Sequence, residues 1–245
     1  MFSYIWHTFF FDPVYNGLVF FIDIIPGGDV GIAIICTTIV VKVILLPLSI
    51  KAAKTQVVMR EIEPKLKKLR EEIEDKQEQA RAMMDIYKEA GVNPFASIFQ
   101  LFLQIPIIIA LYLSVYSGGG VALPDINTDL LYRFVPEPQT VSMLFFGFID
   151  IAARSLPLAF LAGLTQFFHA QLSIPKPEPK KDGEAPDFKA DFGRTMQTQM
   201  RYVMPAIIFV VAYTISAAIA LYFTVSNLAA IAQELYIRKH RKPTE

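Results

Sequence analysis

The sequence has few of the residues and patterns that carry covalent or metal chemistry. Its single cysteine, Cys36, lies in a long apolar run, so neither an intramolecular disulfide nor a cysteine metal cluster can form. No zinc-ligand spacing, phosphate-binding loop or nucleophile–base pattern occurs. We therefore expect a protein that is not an enzyme and has no catalytic residue, no metal ion and no cofactor.

Positive charge is missing from the first part of the chain, where no Lys or Arg precedes Lys42. A secretory signal peptide begins with a basic region, so none is predicted. The composition is 53% hydrophobic and the mean hydropathy is +0.41. These averages are typical of an integral membrane protein with charged segments outside the bilayer.

Residues 31–49, GIAIICTTIVVKVILLPLS, are apolar almost throughout and predict a membrane-spanning helix. A lysine inside such a helix costs roughly 2.5–3.5 kcal/mol unless it faces a wet cavity or a polar partner. In a continuous helix, Thr38, Lys42 and Ser49 share one face. That polar stripe favours a working site at Lys42. The alternative is snorkelling, in which the ammonium reaches the headgroups roughly 10 Å away.

Further apolar stretches predict four more spans, separated by polar segments. The last two must share residues 201–237, which leaves roughly 17 residues for each crossing and predicts short spans. Their break is expected at residues 213–216. The stretch before Pro26 holds two acids and a proline, Asp12, Asp23 and Pro13, so we predict that residues 1–29 form an external amphipathic helix in the membrane interface, with an additional span as the alternative. The five predicted spans are residues 30–50, 94–116, 151–173 and the pair in 201–237.

Residues 51–93 are charged and favour helix. Two apolar stripes at helical spacing predict an antiparallel hairpin outside the bilayer, with a turn near residues 74–76. Gly91 is a suitable helix stop, and Asn93 with Pro94 a suitable start for the next helix. A basic cluster on the hairpin is either a solvated face or a contact for anionic headgroups or ribosomal RNA. The cluster consists of Lys65, Lys67, Lys68 and Arg70.

The basic residues orient the chain. Residues 51–93, 174–201 and 238–242 hold ten, six and four Lys and Arg, together 20 of 23. The positive-inside rule therefore places the hairpin, the polar loop 174–200 and the basic tail 238–245 in the cytoplasm. Segment 117–150, an external loop with an interfacial part, and the N-terminus are then outside.

Polar residues recur in four spans at mid-depth or in the cytoplasmic half, whereas the outer halves are apolar. Each one alone has a simpler interpretation, an interhelical hydrogen bond. Their shared depth predicts a hydrophilic groove open to the cytoplasm and closed outside. A transporter would need inverted repeats or a polar path through the outer half, and a structural scaffold would not need Lys42. The residues are Thr38, Lys42, Ser97, Gln100, Gln104, Gln166, His169, Ser173, Thr224 and Asn227.

Four stretches in order resemble the YidC family of membrane protein insertases and its mitochondrial Oxa relatives: TIVVKVILLPLSIK, YKEAGVNPFASIFQLFLQIPIIIALY, LPLAFLAGLTQFF and ALYFTVSNLAAIAQELYI. The resemblance implies an all-α integral membrane protein with five transmembrane helices around the groove and a cytoplasmic helical hairpin. The implied function is an insertase and chaperone of the plasma membrane that needs no nucleotide hydrolysis. Its implied partners are nascent membrane proteins, the ribosome, the Sec translocon and the lipid bilayer, without direct DNA binding.

The resemblance also assigns groove residues. Lys42 matches a position that is usually arginine, so it keeps the charge and loses the planar fork of donors. Thr38 matches a substrate-contacting position and Gln166 a groove glutamine. Phe223 matches a position that is usually Trp or Tyr and therefore lacks their polar handle. The predicted substrate groove comprises Lys42, Thr38, Gln104, Gln166, Phe223 and Asn227.

Overall fold

A computed structural model describes residues 2–73, 75–93, 96–117, 120–174 and 195–240. Nearly all regular structure in these ranges is helical, as the sequence predicts. The chain divides into two compact units, one formed by Met1–Val43 with Ile107–Glu245 and the other by Ile44–Pro106. We call them the main unit and the hairpin unit, and each is described by itself.

The main unit holds most of the helices. The chain begins with α1 (Phe2–Trp6) and a π-helical turn, His7–Phe11. A 3-10 turn, Thr128–Leu130, follows the end of α6 (Ala96–Tyr116), and a second π-helical turn, Gln199–Val203, leads directly into α8 (Met204–Ile215). The helices and strands are α1 (Phe2–Trp6), α2 (Asp12–Ile24), α3 (Val30–Ile44), the later part of α6 (Ala96–Tyr116), β1 (Leu144–Phe145), β2 (Ile149–Asp150), α7 (Leu156–Ser173), α8 (Met204–Ile215) and α9 (Ala217–His240).

The first predicted span is not one continuous helix. Helix α3 ends at Ile44, and α4 (Leu46–Glu72) begins after Leu45 with Pro47 in its first turn. Proline has no N–H to donate, and its ring clashes with the carbonyl four residues earlier, so it interrupts a helix that would run through it. Ser49 lies beyond this break, in the hairpin unit, so its sharing one face with Thr38 and Lys42 stays a prediction.

Helices α7, α8 and α9 pack closely because small side chains occupy their contacts. A Cβ on Gly163 of α7 would lie 2.9 Å from the Cβ of Phe209 on α8 and 3.3 Å from the Pro205 carbonyl oxygen. Small residues at such crossings let the helix backbones approach closely. This packing stabilises helix pairs in lipid, where the hydrophobic effect does not drive helices together. The fully buried alanines of this bundle are Ala159, Ala162, Ala212, Ala217 and Ala220.

The segment between α6 and α7 is tied to the helices by buried polar contacts. The side chain of Asn16, 2% exposed, donates to the Leu130 carbonyl at 2.8 Å and accepts from the Tyr132 N–H at 2.6 Å. The Tyr15 hydroxyl accepts from the Asn127 N–H at 2.8 Å. Helix α2 is accordingly buried on more than one side. The location of residues 1–29 in the membrane interface stays a prediction.

A β-hairpin precedes α7, in the segment that the sequence analysis assigned to an external loop with an interfacial part. Strands β1 and β2 pair antiparallel, and α7 begins only at Leu156, after the Ser155 side chain accepts from the Leu158 N–H. The hairpin sits on the start of α3: Phe145 packs so closely on Gly31 that a Cβ there would lie 2.3 Å from its ring. Asp29 joins both elements, because its carboxylate accepts from the Ile32 and Phe146 N–H groups.

The hairpin unit contains α4, α5 (Lys76–Glu89) and the first part of α6. The apolar stripes of α4 and α5 meet in a cluster of Ile62, Leu66 and Tyr87. Helix α5 begins at the cap of Asp75, whose carboxylate accepts from two N–H groups of the first turn, and its end is followed by Gly91 at φ +65°. The predicted helix start at Pro94 lies outside the described residues, as do residues 175–194 of the polar loop.

Two helices among the described residues are long and apolar enough to cross a bilayer, Thr195–Ile215 and Ala217–Lys239. The count is three if Val30–Ile44 and Leu46–Met59 form one broken span. The two C-terminal helical stretches have 21 and 23 residues, because the first begins at Thr195 and includes the π-helical turn before α8, and the second continues into the basic tail. The expectation that the parts of them that cross the membrane are short, roughly 17 residues each, stays a prediction.

Candidate functional site

Thr38 lies in the interior of the main unit. Thr37 and Thr38 are adjacent in α3 and are 4% and 2% exposed. Their hydroxyls donate to the carbonyls of Ala33 and Ile34 at 2.8 and 2.7 Å. Because these bonds satisfy the hydroxyls within the helix, both threonines can enter an otherwise apolar interior.

A small cavity adjoins Thr38. Its lining comes from α2, α3, α9 and the later part of α6, and it includes Tyr222, which is 2% exposed. The Tyr222 hydroxyl interacts with the Ser226 side chain, which lies one turn later on α9. The lining residues are Val14, Thr37, Thr38, Val41, Ile107, Leu111 and Tyr222.

Lys42 lies in the last turn of α3 and is half-buried. The partial negative charge at the C-terminal end of a helix favours a cation there. His169 on α7 is within electrostatic range of Lys42 and also of Glu234 on α9. His169 therefore lies within range of two charges of opposite sign, one on each of the other two helices. The sequence predicted Lys42 farther from a helix end, since it did not predict the break at Leu45.

Asn227 joins α9 to α7. It is 6% exposed, and its amide nitrogen donates to the Thr165 hydroxyl at 3.3 Å and the Ala162 carbonyl at 3.4 Å. The hydroxyl of Thr165 donates in turn within α7. The simpler interpretation, an interhelical hydrogen bond, thus describes the contacts that Asn227 makes in the structure.

Gln166, Phe223 and Gln104 complete the predicted set. Gln166 follows Thr165 in α7 and is half-buried. Phe223 is also half-buried and packs edge-to-face on Tyr222, with ring centroids 5.7 Å apart. Gln104 belongs to the hairpin unit, so its membership of the same site remains a prediction.

The sequence analysis missed two arginines at the C-terminal end of α7. Arg201, 4% exposed, donates to the Gln171 side chain at 2.6 Å and to the Ile174 carbonyl at 2.5 Å. Arg238 donates to Glu234 at 3.0 Å and also to the Leu172 carbonyl. The last carbonyls of a helix have no intrahelical donor and carry partial negative charge. The two guanidinium groups supply both the donors and the charge.

Glu234 was missed as well, although the sequence contains a signal for it. It is the only acid in residues 201–237, it lies four residues before Arg238, and it is 8% exposed. An acid in such an apolar run needs a partner. The pattern of Glu and Arg at i and i+4 predicts that partner. Glu234 also lies seven residues beyond Asn227, so it extends the line of polar residues on α9.

The groups brought together in the main unit are hydroxyls, amides, one histidine and charges of both signs. They can bind polar or acidic groups by hydrogen bonds and charge. The described residues contain no cluster of three or more His, Cys, Asp or Glu that could hold a metal ion.

The comparison with protein-family models assigns the chain. The model described as 60Kd inner membrane protein matches residues 21–244, which is nearly the whole sequence. The chain belongs to the 60Kd inner membrane protein family. This agrees with the resemblance carried by the four sequence stretches.

Several curated relatives of this chain are named membrane protein insertase YidC. The one from Oceanobacillus iheyensis is 30% identical over 243 residues, covering 96% of this chain and 84% of the relative. The one from Clostridium tetani is 29% identical and covers 87% of this chain and 84% of the relative. The one from Haemophilus influenzae is 32% identical, and there the match covers 96% of this chain and 38% of the relative.

Proposed function

We propose that this family protein is an insertase of the plasma membrane that accepts hydrophobic segments of newly made proteins and releases them into the bilayer. Its family membership and the names of its relatives support this function. The observation that carries it is the convergence of polar groups from three apolar helices, α3, α7 and α9, in a chain whose remaining helix surfaces are rich in exposed apolar side chains.

The proposed architecture has five transmembrane helices around a groove open to the cytoplasm, with the N-terminus outside. The asymmetry of Lys and Arg supports this orientation. The contacts of Asn16 and Asp29 with the segment between α6 and α7 support a closed outer side, because they satisfy buried polar groups with protein rather than with water. A closed outer side leaves the cytoplasm as the entrance.

The proposed mechanism uses charge and hydrogen bonds without nucleotide. A polar tail of the substrate enters the groove, and Lys42 lowers the cost of its acidic groups. Thr38, Gln104, Gln166, Phe223 and Asn227 line the path. The apolar segment then moves into lipid, and burying its surface there supplies about 25 cal/mol per Å².

Nascent membrane proteins are the proposed substrates, and the ribosome and the Sec translocon are proposed partners. The basic cluster on α4 supports a cytoplasmic contact with ribosomal RNA or anionic lipid. Of that cluster, Lys65 and Lys68 are exposed, as either contact requires.

Photo-crosslinking to nascent chains tests the function. A photoreactive phenylalanine analogue replaces Phe223 in one variant and Phe160 in another. Phe160 is 61% exposed on α7 and serves as the matched control of a lipid-facing ring. We expect a stalled nascent membrane protein to crosslink at position 223 and much less at position 160. Equal crosslinking at both positions, or none at 223, would contradict the proposed groove.

A further inference from the structure

The β-hairpin before α7 has an apolar tip. Between the paired residues Phe145 and Ile149, the chain turns through residues 146–148, with Phe146 at φ +51° and Gly147 at φ +81°. Phe146 and Phe148 are 64% and 74% exposed. A turn normally carries polar residues that water can solvate, so two exposed phenylalanines in a three-residue turn call for a different environment.

The inward side of the same hairpin accounts for its position. Phe145 is 6% exposed and packs on Gly31 in the first turn of α3. The Asp29 carboxylate accepts from the Phe146 N–H at 2.8 Å and from the Ile32 N–H at 3.0 Å. The tip is therefore fixed beside the N-terminal end of α3, which is an apolar helix.

The distribution of charged residues around the tip is typical of a segment at the membrane–water interface. No charged residue occurs from position 138 to position 149, and the first one after the turn is Asp150 at the far end of β2. Leu144, on β1, is 47% exposed and adds to the apolar surface. Aromatic side chains concentrate at membrane–water interfaces, whereas charged ones avoid the acyl boundary.

We propose that the hairpin tip, residues 144–148, inserts Phe146 and Phe148 into the headgroup–acyl boundary of the bilayer as a lipid anchor. The anchor fixes the outer end of α3 against the membrane, because Asp29 and Gly31 connect the two elements. Its occupant is lipid, and it is separate from the groove that receives substrate.

Tryptophan fluorescence tests the anchor, since Trp6 is the only tryptophan of the chain. The background variant is Trp6→Phe, which keeps an aromatic ring against Phe10 and Phe11. Phe148→Trp is added and the full chain is reconstituted in phosphatidylcholine–phosphatidylglycerol vesicles. We expect a blue-shifted emission that loses most of its intensity with lipids brominated near the headgroup end of the acyl chains and little with aqueous iodide.

Gln139→Trp in the same background is the matched control, because Gln139 is an exposed polar residue of the same segment. It should be quenched by iodide and not by brominated lipid. Leu144→Trp is the second variant if Phe148→Trp does not fold, with the result expected for Phe148→Trp. Quenching of the tip by iodide alone would overturn the proposal in favour of water. Quenching by neither agent would overturn it in favour of a protein contact, such as a second copy of the chain.

Discussion

Replacing Asn16 by alanine should destabilise the main unit strongly. The Asn16 amide nitrogen donates to the carbonyls of Asp12 and Leu130 at 2.9 and 2.8 Å, and its oxygen accepts from the Tyr132 N–H at 2.6 Å. At 2% exposure, water cannot replace these partners. The variant leaves the Leu130 carbonyl and the Tyr132 N–H without their partner, and each buried unsatisfied group costs about 1–3 kcal/mol. The loss is thus about 2–4 kcal/mol, allowing for partial relaxation.

Thermal unfolding in detergent, followed by the fraction of protein that stays monodisperse, measures this loss. For a chain of this size 2–4 kcal/mol corresponds to a decrease in Tm of roughly 4–16 °C. Gln139→Ala removes an exposed amide from the segment that Asn16 holds, and it should change stability by less than about 0.5 kcal/mol. If Asn16→Ala unfolded at the same temperature as Gln139→Ala, the reasoning about the buried amide would be refuted.

Three further predictions concern packing and the hairpin unit. Gly163→Ala should lower stability by about 1–3 kcal/mol in the same assay, because the added Cβ would meet Phe209. Gly17→Ala is the control and should be tolerated, since the nearest neighbour of its Cβ would be Thr37 at 3.7 Å. Equal effects of the two changes would contradict this packing argument. Arg201→Met should speed hydrogen exchange at the C-terminal end of α7, since the Ile174 carbonyl loses its donor, and unchanged exchange there would show that the contact is dispensable. The amide hydrogens of the α4–α5 hairpin should also exchange faster than those of α7–α9, because the core of that hairpin is one small cluster. Equal protection in both regions would contradict this.

The sequence predicted the elements whose signals are local. The apolar run of α7 ends at Ser173 in both the prediction and the structure, and the break between the last two helices falls at Ser216, inside the predicted window. These features depend on apolar runs and on residues that cannot continue a helix. The cap at Asp75 and the positive φ of Gly91 have the same local origin.

The failures have equally definite causes. A continuous helix was expected through Pro47 because the run of apolar residues passes through it, whereas Pro47 lies in the first turn of a new helix. The β-hairpin at residues 144–150 was not predicted, because its position depends on tertiary contacts with the start of α3, where Phe145 packs on Gly31 and the Asp29 carboxylate accepts from the Phe146 N–H. The contacts of Arg201 and Asn227 are likewise tertiary. Periodicity can place such residues on a helix face, but it does not identify what that face meets.

The central claim, that Lys42 attracts acidic groups of the substrate, is tested by inserting a matched pair of substrates, one with an acidic and one with a neutral external tail. Lys42→Arg should keep insertion of both. Lys42→Ala should reduce insertion mainly of the acidic-tailed substrate. Lys42→Glu should reduce insertion of that substrate further, because like charges repel in a medium of low effective dielectric. Lys42→Gln distinguishes charge from mere hydration of the groove, since a wet groove alone would need only a polar group. At equal expression, an Ala variant that inserts the acidic-tailed substrate at the wild-type rate would contradict the claim.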